Sequence, residues 1–282
     1  MRIGVNLNAL DSSQLVPAAR AAEEFGFESV WLGEHVIMPR ALNTSHPSGV
    51  RPQAALEYLH HEPFSALAAI ATATTQLRLG TGVCLLPLRD PFNAARAAAT
   101  VDVLSGGRLL MGVGLGWSPE EYEILGINWH TRGARLDEAV HLVRVLWSEE
   151  NPEFGGRFYR CPPVGFRPKP FQGRAIPVLI GTHSSAGIRR AARIGDGLIG
   201  MATSLEGALN EMRILRLEVI EAGRELTELE LTAGVGRDFS PAAVERLHEA
   251  GYNRVSVGLV PTDGPIAWLA DTARSLGALM TG

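Results

Sequence analysis

Short apolar runs alternate with amphipathic helical stretches from one end of this sequence to the other, and the alternation repeats eight times. The runs are Arg2–Leu7, Ser29–Leu32, Leu77–Val83, Leu109–Val113, Val178–Ile180, Leu198–Gly200, Leu229–Gly234 and Arg254–Val257. Each is too short for a helix and apolar enough to be covered on both faces, as the strands of a parallel sheet are. Helices are expected between them over Leu15–Phe25, Pro63–Thr74, Pro91–Leu104, Arg132–Trp147, Ser185–Ile194, Leu205–Ala222, Pro241–Ala250 and Ile266–Leu276. Leu136, Val140, Val143 and Leu146 carry the helical period, and Pro91 stands where a helix tolerates proline, in its first turn. Eight such units in 282 residues match an α/β fold of the (β/α)8 TIM-barrel type, which needs about 250 residues plus insertions. An open doubly wound sheet is the competing topology. No linker divides the chain, so residues 1–282 are read as a single barrel domain. Two long connections stand out: Val36–Glu62 after the second strand, and Ser148–Ile176 between the fourth helix and the fifth strand. Insertions of that length in a compact domain are usually lids or binding loops.

Composition removes several classes of function. A net charge of −4 gives no broad basic surface, so neither nucleic acid nor an anionic membrane is an expected partner. The N-terminus lacks the pattern of a signal peptide and no apolar run reaches the length of a membrane span, so a cytoplasmic location is expected. Cys84 and Cys161 lie in unrelated contexts and read as buried thiols. The eight histidines show no metal-ligand spacing, and no metal is expected. Lys169 is the one lysine among 26 basic residues and sits in the proline-rich FRPKPF, which leaves Schiff-base chemistry without a nucleophile on a rigid wall. A hydrolase would lack a GxSxG elbow.

The segment DVLSGGRLLMGVGLGW, Asp102 to Trp117, joins a helix end, a glycine turn and a buried strand that stops in spaced glycines. Gly106 and Gly107 supply the positive φ that a turn after a helix needs. Gly112, Gly114 and Gly116 leave bare backbone where the strand emerges, which suits something flat. A dinucleotide fingerprint would place its third glycine at position 117, where Trp117 stands, and it belongs in a first βα turn rather than mid-chain.

Glu34 and His35 end the second strand, which in a barrel puts them at the catalytic face. Two readings stand: an acid and an imidazole handling protons, or a cap and a backbone hydrogen bond. Gly181, Thr182, His183 and Ser184 precede a helix, so they form either an anion site at its N-terminus or an ordinary N-cap. Arg189, Arg190 and Arg193 read as a solvated face of that helix. Asp196, Arg132 and Glu138 read as packing or salt-bridge residues.

Four blocks carry a resemblance that covers nearly the whole chain: AARAAEEFGFESVWLGEH (18–35), LRLGTGVCLLPLRDPFNAARAAATVDVLSGGRLLMGVGLGW (77–117), RGARLDEAVHLVRVLW (132–147) and PVLIGTHSSAGIRRAARIGDGL (177–198). In this order they resemble the bacterial luciferase-like monooxygenases, in the branch that uses the deazaflavin coenzyme F420. The resemblance implies a (β/α)8 barrel, a flavin or deazaflavin across its C-terminal mouth, and a homodimer. It implies that Glu34 and His35 lie near the reactive ring, that Gly82-Val83 is a non-proline cis peptide bulging behind the middle ring, and that Gly181, Thr182, His183 and Ser184 hold the cofactor phosphate. Trp117 stands where sugar-phosphate dehydrogenases of the family carry a glutamate. An indole cannot supply that proton, so Trp117 is expected to wall the substrate pocket or simply to pack. The implied activity is hydride transfer between F420 and a small organic substrate. The alternatives are an FMN-dependent monooxygenase that activates oxygen, and a barrel that binds a flavin or deazaflavin without turnover.

Overall fold

In a computed structural model, described for residues 1–40, 44, 60–173, 176–202, 204–234, 240–259 and 264–280, the chain closes a barrel of eight parallel strands. The strands are β1 (Arg2–Asn6), β2 (Ser29–Leu32), β3 (Arg78–Thr81), β4 (Leu109–Val113), β7 (Val178–Thr182), β8 (Gly197–Gly200), β9 (Glu230–Gly234) and β10 (Arg254–Gly258), neighbours in that order, with β10 closing on β1. The helices around them are α1 (Ser12–Glu24), α2 (Pro63–Ala73), α3 (Pro91–Ser105), α4 (Pro119–Ile124), α5 (Arg132–Ser148), α6 (Ser185–Ile194), α7 (Leu205–Glu221), α8 (Pro241–Glu249) and α9 (Pro265–Leu276). All eight expected strands form. The open sheet is excluded by the β1–β10 pairing, which runs from Arg2–Arg254 to Asn6–Gly258.

Local chemistry explains where the elements stop and start. Asp90, Ser184, Ser204 and Ser240 each accept the N3 amide of the helix that follows, satisfying a donor that has no partner inside the helix. Gly106 and Gly107 turn the chain out of α3 at φ of 67° and 89°, as the glycine pair implies. A helix and a hairpin escape the sequence reading. The helix α4 lies between β4 and α5, and the second insertion folds a small antiparallel hairpin, β5 (Phe154–Gly155) with β6 (Arg160–Cys161). The Glu138 carboxylate of α5 holds that hairpin through the amides of Arg157, Phe158 and Tyr159 at 2.7–3.0 Å. Cys84 is buried as expected, but Cys161 is only half-buried, because the hairpin lies on the surface of the barrel. Within the first insertion, positions 41–43 and 45–59 lie outside the described residues.

The barrel interior is filled mainly by one large side chain. Trp31 of β2 packs with Leu110, Leu179 and Ile199, and its indole N–H donates to Ser29 Oγ at 2.9 Å. Room for it exists because β1 and β3 present glycine there: a Cβ at Gly4 would come within 2.6 Å of Trp31 Nε1, and one at Gly80 would enter the ring. Below Trp31, at the N-terminal end of the strands, the fully buried Arg254 donates to Glu28 at 2.7 Å and to Glu230 at 2.8 Å. Burial pulls its guanidinium down, but the two carboxylates outweigh burial and hold it above its ordinary value. The lower end of the barrel is thereby closed by a paired charge cluster.

A second buried carboxyl has no such partner. Glu211 of α7 points at Gly200 of β8, where a Cβ would stand 2.5 Å from Oε2, and that oxygen has no hydrogen-bond partner among the described residues. Burial pushes its carboxyl up to about 7, against the opposing pull of the Met201 amide and Tyr252. Between the ordinary carboxylate range and pH 7, the folded chain therefore keeps a proton that the unfolded chain has released, and stability falls as pH rises through that window. Glu211→Gln removes this dependence. Urea unfolding across pH 4.5–8 is expected to show the variant gaining on the wild type up to about pH 7, by as much as about 3 kcal/mol, with a constant gap above.

Candidate active site

The C-terminal ends of β2, β3, β4 and β7, adjacent in the barrel, bring most of the residues singled out from the sequence to one rim. Beyond Gly80, β3 spends four residues where β4 spends three: Gly80 pairs with Leu110, and Cys84 next pairs with Val113. One residue must bulge. The Gly82-Val83 peptide within it is cis, as the resemblance implies. The Val83 side chain lies against β4 and β7, both of which offer glycine at that level. A Cβ at Gly114 would stand 2.5 Å from Val83 Cγ2, and one at Gly181 would run into Cγ1. Gly82, Val83, Gly116 and Thr182 all remain partly accessible.

Glu34 and His35 leave the end of β2 with different partners. The Glu34 carboxylate is buried and fully engaged: Oε1 accepts from the Leu85 amide at 2.6 Å and from Arg89 Nε at 2.8 Å, and Oε2 accepts from Arg89 Nε and Nη2. Arg89 also pairs with Glu62 at 2.8 Å. Burial pulls the Arg89 guanidinium down, but Glu34 outweighs burial and, with Glu62, holds it above its ordinary value. Burial also pushes the neighbouring Cys84 thiol well up, and Glu34 adds to that. Glu34 thus ties β2 to the segment just past the bulge.

His35 is partly accessible and contacts β4's extension. Its Nδ1 lies 2.9 Å from Glu121 Oε2, and its Nε2 lies 3.1 Å from the Trp117 indole nitrogen. The ring also meets His60 edge-on, with centroids 5.0 Å apart. Trp117 therefore sits on the rim and donates to His35 rather than serving as inert packing. Glu121, on the first turn of α4, also accepts the Val36 amide at 2.7 Å. The sequence reading missed it, although Ser118-Pro119-Glu120-Glu121 has the form of a helix start with serine at the N-cap and proline next. Ser118 Oγ does accept the Glu121 amide, at 3.2 Å.

At β7, Thr182 Oγ1 accepts the Ser184 amide at 3.0 Å, and Ser184 Oγ accepts the Gly187 amide at 3.2 Å. The N-cap reading is thus realised, and it leaves the first turn of α6 facing the rim beside the exposed His183 and Ser184. Arg190 and Arg193 pair with Asp137, Arg189 with Glu218, and Asp196 with Arg144, as structural ion pairs. Arg132 takes the packing role of the two expected for it. At the start of α5 it stacks on Trp129 at 3.6 Å and donates to the Trp129 carbonyl, with no carboxylate partner among the described residues.

A glycine-lined mouth, an imidazole on the second strand and a helix N-terminus after β7 define a class of barrel, and a family model agrees: the description luciferase-like monooxygenase matches residues 4–256. The chain belongs to the luciferase-like monooxygenase family, and with it to the F420- or flavin-dependent oxidoreductases. It is 34% identical over 261 residues to an uncharacterized protein of Mycobacterium tuberculosis, covering 90% of this chain and 88% of that one. It is also 34% identical over 224 residues to an F420-dependent glucose-6-phosphate dehydrogenase of Nakamurella multipartita, covering 77% of this chain and 61% of the relative. Its fold superposes with a TM-score of 0.80 on an F420-dependent secondary alcohol dehydrogenase in complex with an F420-acetone adduct, at 18% identity over 99% of this chain and 98% of the other.

The fit between Val83 and the glycines opposite it is testable without a ligand. Gly181→Ala is expected to lower stability by about 2 kcal/mol, since the added methyl overlaps Val83 and a packed interior yields little. Combining it with Val83→Ala is expected to recover most of that loss in the same denaturation measurement, because the space is vacated.

Proposed function

We propose that the chain transfers a hydride between coenzyme F420 and a small organic substrate, with the deazaflavin lying across the rim formed by β2, β3, β4 and β7. The observation that carries this reading is the placement of His35, the Gly82-Val83 bulge and the N-terminus of α6 on adjacent strand ends. A floor made of Gly82, Val83 and Gly116 presents no charged side chain, which suits a flat ring. The first turn of α6, with Thr182, His183 and Ser184, suits a phosphate, because unpaired amides and the helix dipole favour an anion there. Arg132 adds a guanidinium held over the Trp129 indole. The F420-dependent dehydrogenase among the 34% identical relatives supports the choice of cofactor.

Bound there, F420 supplies a two-electron hydride carrier. The chain's own residues do the rest. His35 Nε2 is the group that exchanges a proton with the substrate, and Trp117 walls the substrate's side of the rim. Glu34, paired with Arg89, holds the Leu85 amide and so the floor of the site; its role is position rather than proton transfer. The same reading carries the expectation of a cytoplasmic homodimer acting on a small molecule.

Anaerobic absorbance titration tests the choice of cofactor. F420 is expected to bind at micromolar concentration or tighter, FMN much more weakly, and His35→Ala is expected to keep F420 affinity within about threefold. Micromolar binding of FMN with none of F420, followed by oxygen consumption once FMN is reduced, would favour the oxygen-activating alternative. Binding of F420 with no reoxidation of its reduced form by any of a panel of aldehydes and ketones would favour a barrel without turnover.

A further inference from the structure

Both ring nitrogens of His35 are engaged by groups whose hydrogen-bonding roles are fixed. An indole N–H can only donate, so Nε2, 3.1 Å from Trp117 Nε1, is an acceptor. An ionised carboxylate can only accept, so Nδ1, 2.9 Å from Glu121 Oε2, carries the ring proton. Glu121 is well placed to impose that choice. Its side chain is wholly buried, and its other oxygen is held by the amides of Val36 at 2.7 Å and Ile37 at 3.3 Å. The carboxylate cannot turn away from the ring without leaving those amides unsatisfied in a buried place.

We propose that Glu121 is the positioning residue of this site: it fixes His35 in the Nδ1–H tautomer, so that Nε2 meets the substrate as a hydrogen-bond acceptor. The meaning of this for catalysis rests on the function proposed above, whereas the tautomer itself does not. A substrate hydroxyl that displaces the Trp117 N–H finds a lone pair on Nε2. When Nε2 takes the hydroxyl's proton, Glu121 stabilises the resulting imidazolium from across the ring, as the carboxylate partner of a catalytic histidine does. Among the described residues, the other ionisable group against the ring is His60, edge-on at 5.0 Å; the Glu34 carboxylate one residue away is paired with Arg89.

Glu121→Gln separates the two uses of the side chain. Its amide oxygen still accepts from Val36 and Ile37, but its NH2 now faces Nδ1. A neutral ring has one acceptor nitrogen, so between two donors it keeps one bond in either tautomer: Nδ1–H keeps the bond from Trp117, and Nε2–H exchanges it for one from the Gln NH2. Nitrogen-15 NMR of the histidine rings reads this directly in the ligand-free protein, with the His35 signals identified by their absence in His35→Gln. The wild type is expected to show Nδ1–H alone, and Glu121→Gln to lose that preference and show a mixture in which Nε2–H is detected. Trp117→Phe removes the opposite partner and is expected to keep Nδ1–H, which also covers the case that Glu121→Gln fails to fold. In turnover, Glu121→Gln is expected to lower kcat about 100-fold while KM and F420 affinity change less than about threefold. A wild-type ring protonated at Nε2, or a tautomer lost in Trp117→Phe, overturns the inference even if F420 is turned over. If F420 fails to bind while the wild-type ring is Nδ1–H, the assigned function falls and the role of Glu121 in setting the tautomer stands.

Discussion

A closed ring of eight strands encloses a column that side chains must fill, and here Trp31 sets the level to which it is filled. Glycine at Gly4 and Gly80 lets one indole span the interior, and Ser29 satisfies its N–H. Arg254 and its carboxylates close the column beneath. Above the indole the strands change character: Gly112, Gly114 and Gly181 carry no side chains, and Val83 folds in from the β3 bulge to occupy the space. The floor of the rim is therefore built of backbone and one valine resting on a packed interior. A void at that level would be costly, at about 24 cal/mol for each Å3, and the bulge fills it.

Two buried carboxylates then fix what stands around the floor. Glu34 reaches from the end of β2 to the Leu85 amide and Arg89, past β3. Glu121 reaches from α4, past β4, back to His35 and the Val36 amide. Glu34 ties the neighbouring ends of β2 and β3, and Glu121 ties the ends of β4 and β2 across β3. They differ in what they hold: Glu34 holds backbone and a permanent cation, whereas Glu121 holds an imidazole whose other nitrogen faces the rim. The acid singled out from the sequence is thus bound to the Leu85 amide and Arg89, and the acid beside the histidine is one the sequence reading passed over.

Much of the fold was legible because a barrel of this kind writes its period into the chain. Every strand is a short apolar run, and β2, β4 and α6 begin and end at the residues that the pattern marks. The adjacency of Glu34, His35, Gly82, Trp117 and Thr182 followed from one rule, that strands of a parallel barrel deliver their C-terminal ends to one face. What was not legible depends on side-chain reach. Nothing in the one-dimensional pattern tells that Glu34 will find Arg89, 55 residues away, or that Trp117 will turn its indole to His35. The helix α4 was missed because six residues hold too little periodicity, though its serine cap and proline were visible. The sequence left Arg132 between packing and a salt bridge because an arginine at a helix start says nothing of what lies beside it; it packs on Trp129.

Whether the rim seats a planar redox cofactor is tested most directly by a crystal structure of the chain grown with oxidised F420. Ring density is expected over Gly82-Val83, with the phosphate at the first turn of α6 and His35 beside the ring. Density at the Arg254 end of the barrel, or a ring bound clear of the β2, β3, β4 and β7 ends, would contradict it.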